Sequence, residues 1–296
     1  MTSCHQFDSA NNQTEINISQ RYLDIIKKIL TGVQHERPFY WPINRPYNVI
    51  YRAVFETISK VLANQSIVLA HDVGGDGTEH RPRGFSGWLE VSSAYTLLGR
   101  QRLDNLQWCV EEVLRYDIPG DLIETGVWRG GACILMCAIL KAYRICDRKV
   151  FGADSFEGLP PPSPDRYPLD KGSIYHLQRG FSVSLDEVRH NFEEFRLLDE
   201  QIEFVKGWFS ETLPKQAGHT WSVIHLDGDM YQSTMEALEN LYPGLSLGGF
   251  IIVDDFGAAQ GCRQAVLDYR QMHSITEDIC NIDWTGIYWR TESPRI

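Results

Sequence analysis

Apolar residues recur along this chain at two periods, and the change from one to the other divides it. Over residues 18–30, Tyr22, Ile25, Ile26 and Ile29 fall on one helical face, and over 51–62 Val54, Ile58 and Val61 do the same. Residues 31–48 carry Pro38, Pro42 and Pro46 among aromatics, which predicts irregular chain. Residues 71–85 (HDVGGDGTEHRPRGF) are Gly-rich, charged and nearly free of large apolar side chains, the composition of a mobile loop. Residues 1–17 are polar and are expected to be disordered.

From Asp104 onward the texture changes. An amphipathic helix over 105–115 is closed by Pro119-Gly120. Short apolar runs then alternate with helical stripes, giving strands over 121–124, 149–154, 202–205, 221–226 and 250–253. The intervening helices are expected over 130–143, from Ser184, over 234–241 and over 263–272. Ser184 with Glu187 three residues on reads as a capping box, ahead of a stripe of Leu185, Val188, Phe192 and Phe195. Residues 275–279 and 287–289 are expected to form an antiparallel pair. Strands alternating with helices predict a mostly parallel sheet with helices on both faces. The expected organisation is an N-terminal helical and lid region over 1–103 and a sheet-based domain over 104–296.

Composition narrows the function. The chain has 296 residues, 43% hydrophobic and 23% charged, and its net charge is −11. An acidic surface disfavours nucleic acid and anionic membranes, whose phosphates need a basic partner. No run approaches a membrane span, and the N-terminus lacks a secretory pattern, so a cytoplasmic protein is expected. Cys4, Cys109, Cys133, Cys137, Cys146, Cys262 and Cys280 are odd in number and contain no CxxC, which suggests neither a disulfide framework nor a zinc site.

In a sheet of this kind ligands bind beyond the carboxyl ends of the strands, so the polar residues there carry the chemistry. The first strand runs into Glu124-Thr125-Gly126-Val127-Trp128-Arg129-Gly130-Gly131. This Gly-rich turn before a helix is a nucleotide-cofactor feature, but it is neither GxGxxG nor a P-loop. An acid at the turn repels phosphate and suits a cofactor with a cationic amino-acid end and a ribose. The second strand ends in Asp154, placed to accept hydrogen bonds from ribose hydroxyls. After the third, Trp208 or Phe209 offers a stacking face for adenine, the other being a core aromatic. The fourth and fifth strands end in Asp227-Gly228-Asp229 and Asp254-Asp255. Like charges about 4 Å apart repel by about 4 kcal/mol at an effective dielectric of 20, so such carboxylates must protonate, separate or hold a cation. Asp is also a favoured helix N-cap, but one suffices for a cap and each strand end has two. Hard oxygen donors without sulfur favour Mg²⁺, with Mn²⁺ or Ca²⁺ open.

Together these segments resemble the macrocin O-methyltransferase family, the TylF/MycF type of natural-product methyltransferases. The resemblance runs from about Arg102 to Arg290. Its motifs are RLDNLQ, GDLIETGVWRGGACILM, ADSFEGLP, VSLDEVRHNF, FVKGWFSETLP, HLDGDMYQST, GGFIIVDDFG and GCRQAV. It implies the class I S-adenosylmethionine-dependent methyltransferase fold, with a seven-stranded sheet whose last strand is antiparallel. It implies Mg²⁺, and methylation of a hydroxyl, commonly on a deoxysugar, with S-adenosylhomocysteine as product. Carried onto this sequence, Glu124, Thr125, Gly126, Val127 and Trp128 hold the methionine end and ribose of the cofactor. Asp154 takes the ribose hydroxyls with Ser155, Phe156, Glu157 and Gly158 beside it. Ser184, Trp208 and Phe209 border the adenine, and Thr96 lies near the methionine carboxylate. Asp227, Asp254 and Asp255 are the implied metal ligands and Asp229 the general base, with His176 and His225 as alternative bases.

The expected partners are a small hydroxylated acceptor and further copies of the chain in a homo-oligomer. A phenol or catechol acceptor suits the same carboxylates. A nicotinamide-dependent oxidoreductase lacks its pyrophosphate loop here, and a non-catalytic binding protein has no use for four converging acids.

Overall fold

The computed structural model describes residues 9–32, 40–42, 70–72 and 94–292. The chain forms two compact units, one of residues 1–31 with 95–296 and one of residues 32–94. In the smaller unit β1 (Tyr40–Pro42) pairs antiparallel with β2 (Ala70–Asp72). His71 and Asp72, expected in the loop, belong to β2; the remainder of that loop and the helix expected over 51–62 lie outside the described residues.

The larger unit is built on seven strands. They are β3 (Asp121–Thr125), β4 (Val150–Asp154), β5 (Ile202–Lys206), β6 (Trp221–Leu226), β7 (Leu245–Val253), β8 (Cys280–Asn281) and β9 (Ile287–Arg290). Their order is β5-β4-β3-β6-β7-β9-β8, with every pair from β5 to β7 parallel and β9 antiparallel to both its neighbours. This matches the sheet that the resemblance implies. Central strands covered on both faces are buried throughout and mostly apolar. All six residues of β6 and the last five of β7 are accordingly buried.

Helices α1 (Ser9–Leu30), α2 (Arg100–Arg115), α3 (Gly131–Ala142) and α4 (Leu185–Glu194) share one core, with Leu23, Leu103, Leu106, Ile134, Val188 and Phe192 buried in it. Beyond the short α5 (Phe209–Thr212), α6 (Tyr231–Leu241) and α7 (Gln260–Met272) close the other face around Trp221, Leu238, Val266, Tyr269 and Trp289. Cys133 and Cys137 are buried thiols in α3. No helix among the described residues is long and apolar enough to cross a membrane.

Three local features differ from the sequence reading. α1 begins at Ser9, inside the stretch expected to be disordered. Its first turns carry no apolar stripe, so periodicity could not reveal them. The partner of β9 is Cys280–Asn281, while Ile275 and Ile279 pack against the core. Ile275 N–H is taken up by Arg270 O, which closes α7, and this removes 275 from pairing. Ser184 does cap α4, accepting from Glu187 N–H at 3.2 Å, but Glu187 Oε1 lies 3.5 Å from Arg129 Nε and the box is one-sided.

The chain proceeds outward from β3 to β4 and β5, then returns to place β6 on the other side of β3. This reversal opens a crevice at the carboxyl ends of β3 and β6, where a ligand can enter between diverging connections.

Candidate active site

The end of β3 is stitched to both neighbours. Gly126 N–H donates to Ala153 O at 2.9 Å, and Asp227 N–H donates to Thr125 O at 2.9 Å. Gly126 has φ +90°, and a Cβ there would lie 1.8 Å from Asp227 O, so only glycine lets the turn cross the β6 end this closely. Asp154 at the end of β4 braces the same turn. Its Oδ2 accepts from Val127 N–H at 2.7 Å and Trp128 N–H at 3.4 Å, and its Oδ1 accepts from Phe156 N–H at 2.7 Å. Burial raises the Asp154 pKa above the usual carboxylate range against the pull of these donors.

A cleft of about 460 Å³ opens over this turn. Gly126, Trp128, Asp154, Trp208, Phe209, Asp227 and Asp229 line it. Ser155 and Gly158 also reach it, Ser155 Oγ donating to Gly158 O at 2.6 Å. Other residues singled out from the sequence are not among those that line it. Thr125 is buried in β3, and Val127 and Phe156 are buried in the core. Glu157 and Ser184 are exposed. Thr96 is buried against the start of α3, where a Cβ on Gly131 would come 2.5 Å from Thr96 Cβ. Glu124 is buried, its Oε2 accepting from Cys133 N–H at 3.1 Å and from the Cys133 thiol at 2.9 Å. Its Oε1 lies 3.2 Å from His225 Nδ1. Burial disfavours a charged His225, but Glu124 and then Asp254 outweigh it and raise its pKa above 6.5. His225 is 1% exposed, so a substrate cannot reach it as a base. His176 is half-buried on the 159–182 loop.

At the ends of β6 and β7, carboxylate oxygens of Asp227, Asp254 and Asp255 lie within 4.8 Å of one another. Asp229, at φ +57°, donates its N–H to Asp255 Oδ2 at 3.2 Å, which folds the loop after β6 onto the cluster. Burial and then the charge of Asp254 push Asp227 well above the usual carboxylate range and Asp255 up to about 6. The Arg102 guanidinium donates to Asp254 Oδ2, while Asp254 Oδ1 is buried with no hydrogen-bond partner. A buried, unsatisfied carboxylate oxygen beside two more carboxylates is costly as it stands, and a hard cation would satisfy it. The residues present therefore fit Mg²⁺ or a similar ion.

Sequence reasoning passed over several residues of this site. Arg102 stands on the apolar face of α2 with Leu106, Cys109 and Val113, and a charge on a buried stripe was the signal available. Asp170 accepts from Tyr231 N–H at 2.8 Å and Gln232 N–H at 2.9 Å, capping α6 from the 159–182 loop. Tyr175 on that loop is pushed up to about 12 by burial and then by Asp229 and Asp255. Glu236 lines the cleft from α6, its pKa raised by burial, with Gln232 Nε2 donating to its Oε1 at 3.0 Å. Nothing in the spacing of the last three marked them.

A family model described as Macrocin-O-methyltransferase (TylF) matches residues 19–291. The chain is 44% identical over 271 residues to the 8-demethyl-8-(2,3-dimethoxy-alpha-L-rhamnosyl)-tetracenomycin-C 4'-O-methyltransferase of Streptomyces olivaceus, covering 91% of this chain and 92% of that protein. It is 46% identical over 200 residues to the mycinamicin III 3''-O-methyltransferase of Micromonospora griseorubida, covering 67% of this chain and 78% of that protein. Among solved structures it is similar to the O-methyltransferase NovP, at 38% identity and a TM-score of 0.73, over 93% of this chain and 100% of the other.

Proposed function

The chain belongs to the macrocin O-methyltransferase family and is therefore an O-methyltransferase, and from that premise we propose that it carries a methyl group from S-adenosylmethionine to a hydroxyl of a small natural-product acceptor, a deoxysugar of a secondary metabolite above all, with Mg²⁺ in the site. One observation supports this most: Asp154, at the strand end suited to ribose hydroxyls, and Asp227, one of the three clustered carboxylates, line the same cleft together with Asp229. A relative named for a rhamnosyl 4'-O-methyl transfer supports the sugar acceptor.

In this reading Asp154 would accept a ribose hydroxyl at the one lone pair that the three backbone amides leave. Trp208 and Phe209 would border the adenine, and the turn from Gly126 to Trp128 would hold the methionine end. Asp227, Asp254 and Asp255 would hold the metal ion. Bound there, the cofactor would supply an electrophilic methyl group and the ion a Lewis acid that makes a nearby hydroxyl more acidic. Asp229 would accept the proton of the acceptor hydroxyl at its carboxylate. The 159–182 loop, tied down by Asp170 and by Trp128 Nε1 donating to Gly180 O at 2.8 Å, lines the cleft with Leu159 and Phe181 and would limit the access of water to it.

Mass spectrometry of a panel of glycosylated and phenolic acceptors, incubated with S-adenosylmethionine and Mg²⁺, tests the proposal. A gain of one methyl on a sugar hydroxyl is expected. Transfer confined to phenols would replace the sugar acceptor with a catechol-type one, and transfer to none would overturn the acceptor class.

A further inference from the structure

The metal cluster has a cation of its own behind it. Arg102, buried in α2, donates from Nη1 to Asp254 Oδ2, and its Nε lies 3.0 Å from Asp283 Oδ2. Asp283 is itself fixed, because its Oδ1 accepts from Thr285 N–H at 2.9 Å and Gly286 N–H at 2.7 Å. The turn 283–286 then returns to the ligand: Thr285 Oγ1 donates to Asp254 O at 2.8 Å, and Gly257 N–H donates to Thr285 O at 2.9 Å. Two glycines allow the approach. A Cβ on Gly286 would lie 3.1 Å from Arg102 Cδ, and one on Gly257 would lie 2.3 Å from Trp284 O. Asp254 is thus held at its main chain by Thr285 and at one carboxylate oxygen by Arg102.

What this clamp leaves undone is informative. Arg102 engages only one of the two oxygens of the buried carboxylate, and a buried oxygen left unsatisfied is costly. Here Oδ1 is left buried without a partner, in the cluster with Asp227 and Asp255. A bidentate carboxylate suits the larger Ca²⁺, which takes 6–8 oxygens, whereas Mg²⁺ demands a compact octahedron of single oxygens.

We propose that Arg102 is a positioning residue that confines Asp254 to one coordinating oxygen and so sets the cluster for a small octahedral cation over a larger one. This rests on the metal reading of the site given above. Asp283, held by the 283–286 turn, pairs with the guanidinium by charge at Nε while Nη1 donates to Asp254. A lysine could keep the charge but not the two-sided hold, since an ammonium is a point donor and a guanidinium a planar fork.

Calorimetric titration of the full chain with Mg²⁺ alone and Ca²⁺ alone tests this, comparing wild type with Arg102→Lys and Asp283→Asn. Circular dichroism and melting without metal verify folding. The expected result for Arg102→Lys is Mg²⁺ binding weaker by about 10–100-fold, the usual scale for removing an outer partner of a ligand, with Ca²⁺ binding weakened less, so that the Mg²⁺ to Ca²⁺ preference falls about tenfold or more. Asp283→Asn, which keeps the Arg102–Asp254 contact, is expected to shift the preference the same way by less; should Arg102→Lys fail to fold, this variant decides. A folded variant with lower melting temperature but an unchanged preference overturns the role of Arg102 and leaves the metal site standing. A wild-type chain that binds neither ion overturns the metal reading and this inference with it.

Discussion

Gly126 shows how far a single residue can govern this site. Its positive φ and its 1.8 Å Cβ distance to Asp227 O mean that an alanine must push β3 and β6 apart. Gly126→Ala is expected to cost about 3 kcal/mol or more, from backbone strain and overpacking together, and to abolish S-adenosylmethionine binding. Denaturant melts and cofactor calorimetry check both halves. Asp154→Ala should weaken the cofactor by about 1.5–3 kcal/mol, the scale of hydrogen bonds to a charged group. Because Asp154 also holds Val127 N–H and Phe156 N–H, the melting temperature should fall with it. Unchanged affinity in a folded variant would take Asp154 out of the cofactor site. Residue type and strand position made Asp154, Asp227, Asp254 and Asp255 legible in the sequence, since acids at the ends of buried strands have few other uses. Arg102 and Asp283 were not legible, because 181 residues of chain separate the partners and only the folded sheet brings them together.

At the scale of elements, the buried parallel strands were the easiest to read. Trp221–Leu226 stands where its apolar run predicts, and β7 only begins earlier, at Leu245, where Gly248 and Gly249 interrupt the apolar pattern. Elements without such a run escaped: the polar first turns of α1, and β8, two exposed residues whose place is set by pairing to β9. The attachment of the 159–182 loop escaped as well, since a side chain capping a helix from 61 residues away leaves no local motif. Asp170→Ala would strand the N–H groups of Tyr231 and Gln232 and cost about 1 kcal/mol, the scale of a lost helix cap. The loosened loop should raise KM for the acceptor several-fold while S-adenosylmethionine affinity changes little. Steady-state kinetics in both substrates read this directly, and an equal loss for both would assign the loop to the cofactor instead.

For the whole molecule, the raised carboxylates make stability depend on pH and on metal together. Asp255 sits at about 6 in the native chain, against about 4 for an unfolded Asp, and Asp227 and Asp154 are raised too. Between those values the native state holds protons that the unfolded state has released. Metal-free stability should therefore fall as pH rises from about 4 through about 6. In the proposed function Mg²⁺ would take the place of those protons, so its stabilisation should be larger near pH 7.5 than near pH 5, as thermal melts with and without Mg²⁺ would record. An equal shift at both pH values would separate the cluster from the metal.

The proposed function turns on a cofactor bound beside Asp154 and a cation held by the cluster that contains Asp227, and the rate of methyl transfer by the metal-stripped protein tests it most directly. Formation of S-adenosylhomocysteine should stop in EDTA-treated protein given S-adenosylmethionine and its acceptor, and should return when Mg²⁺ is added back. Full transfer in protein verified to be free of metal would contradict the account and leave Asp229 alone to explain the chemistry.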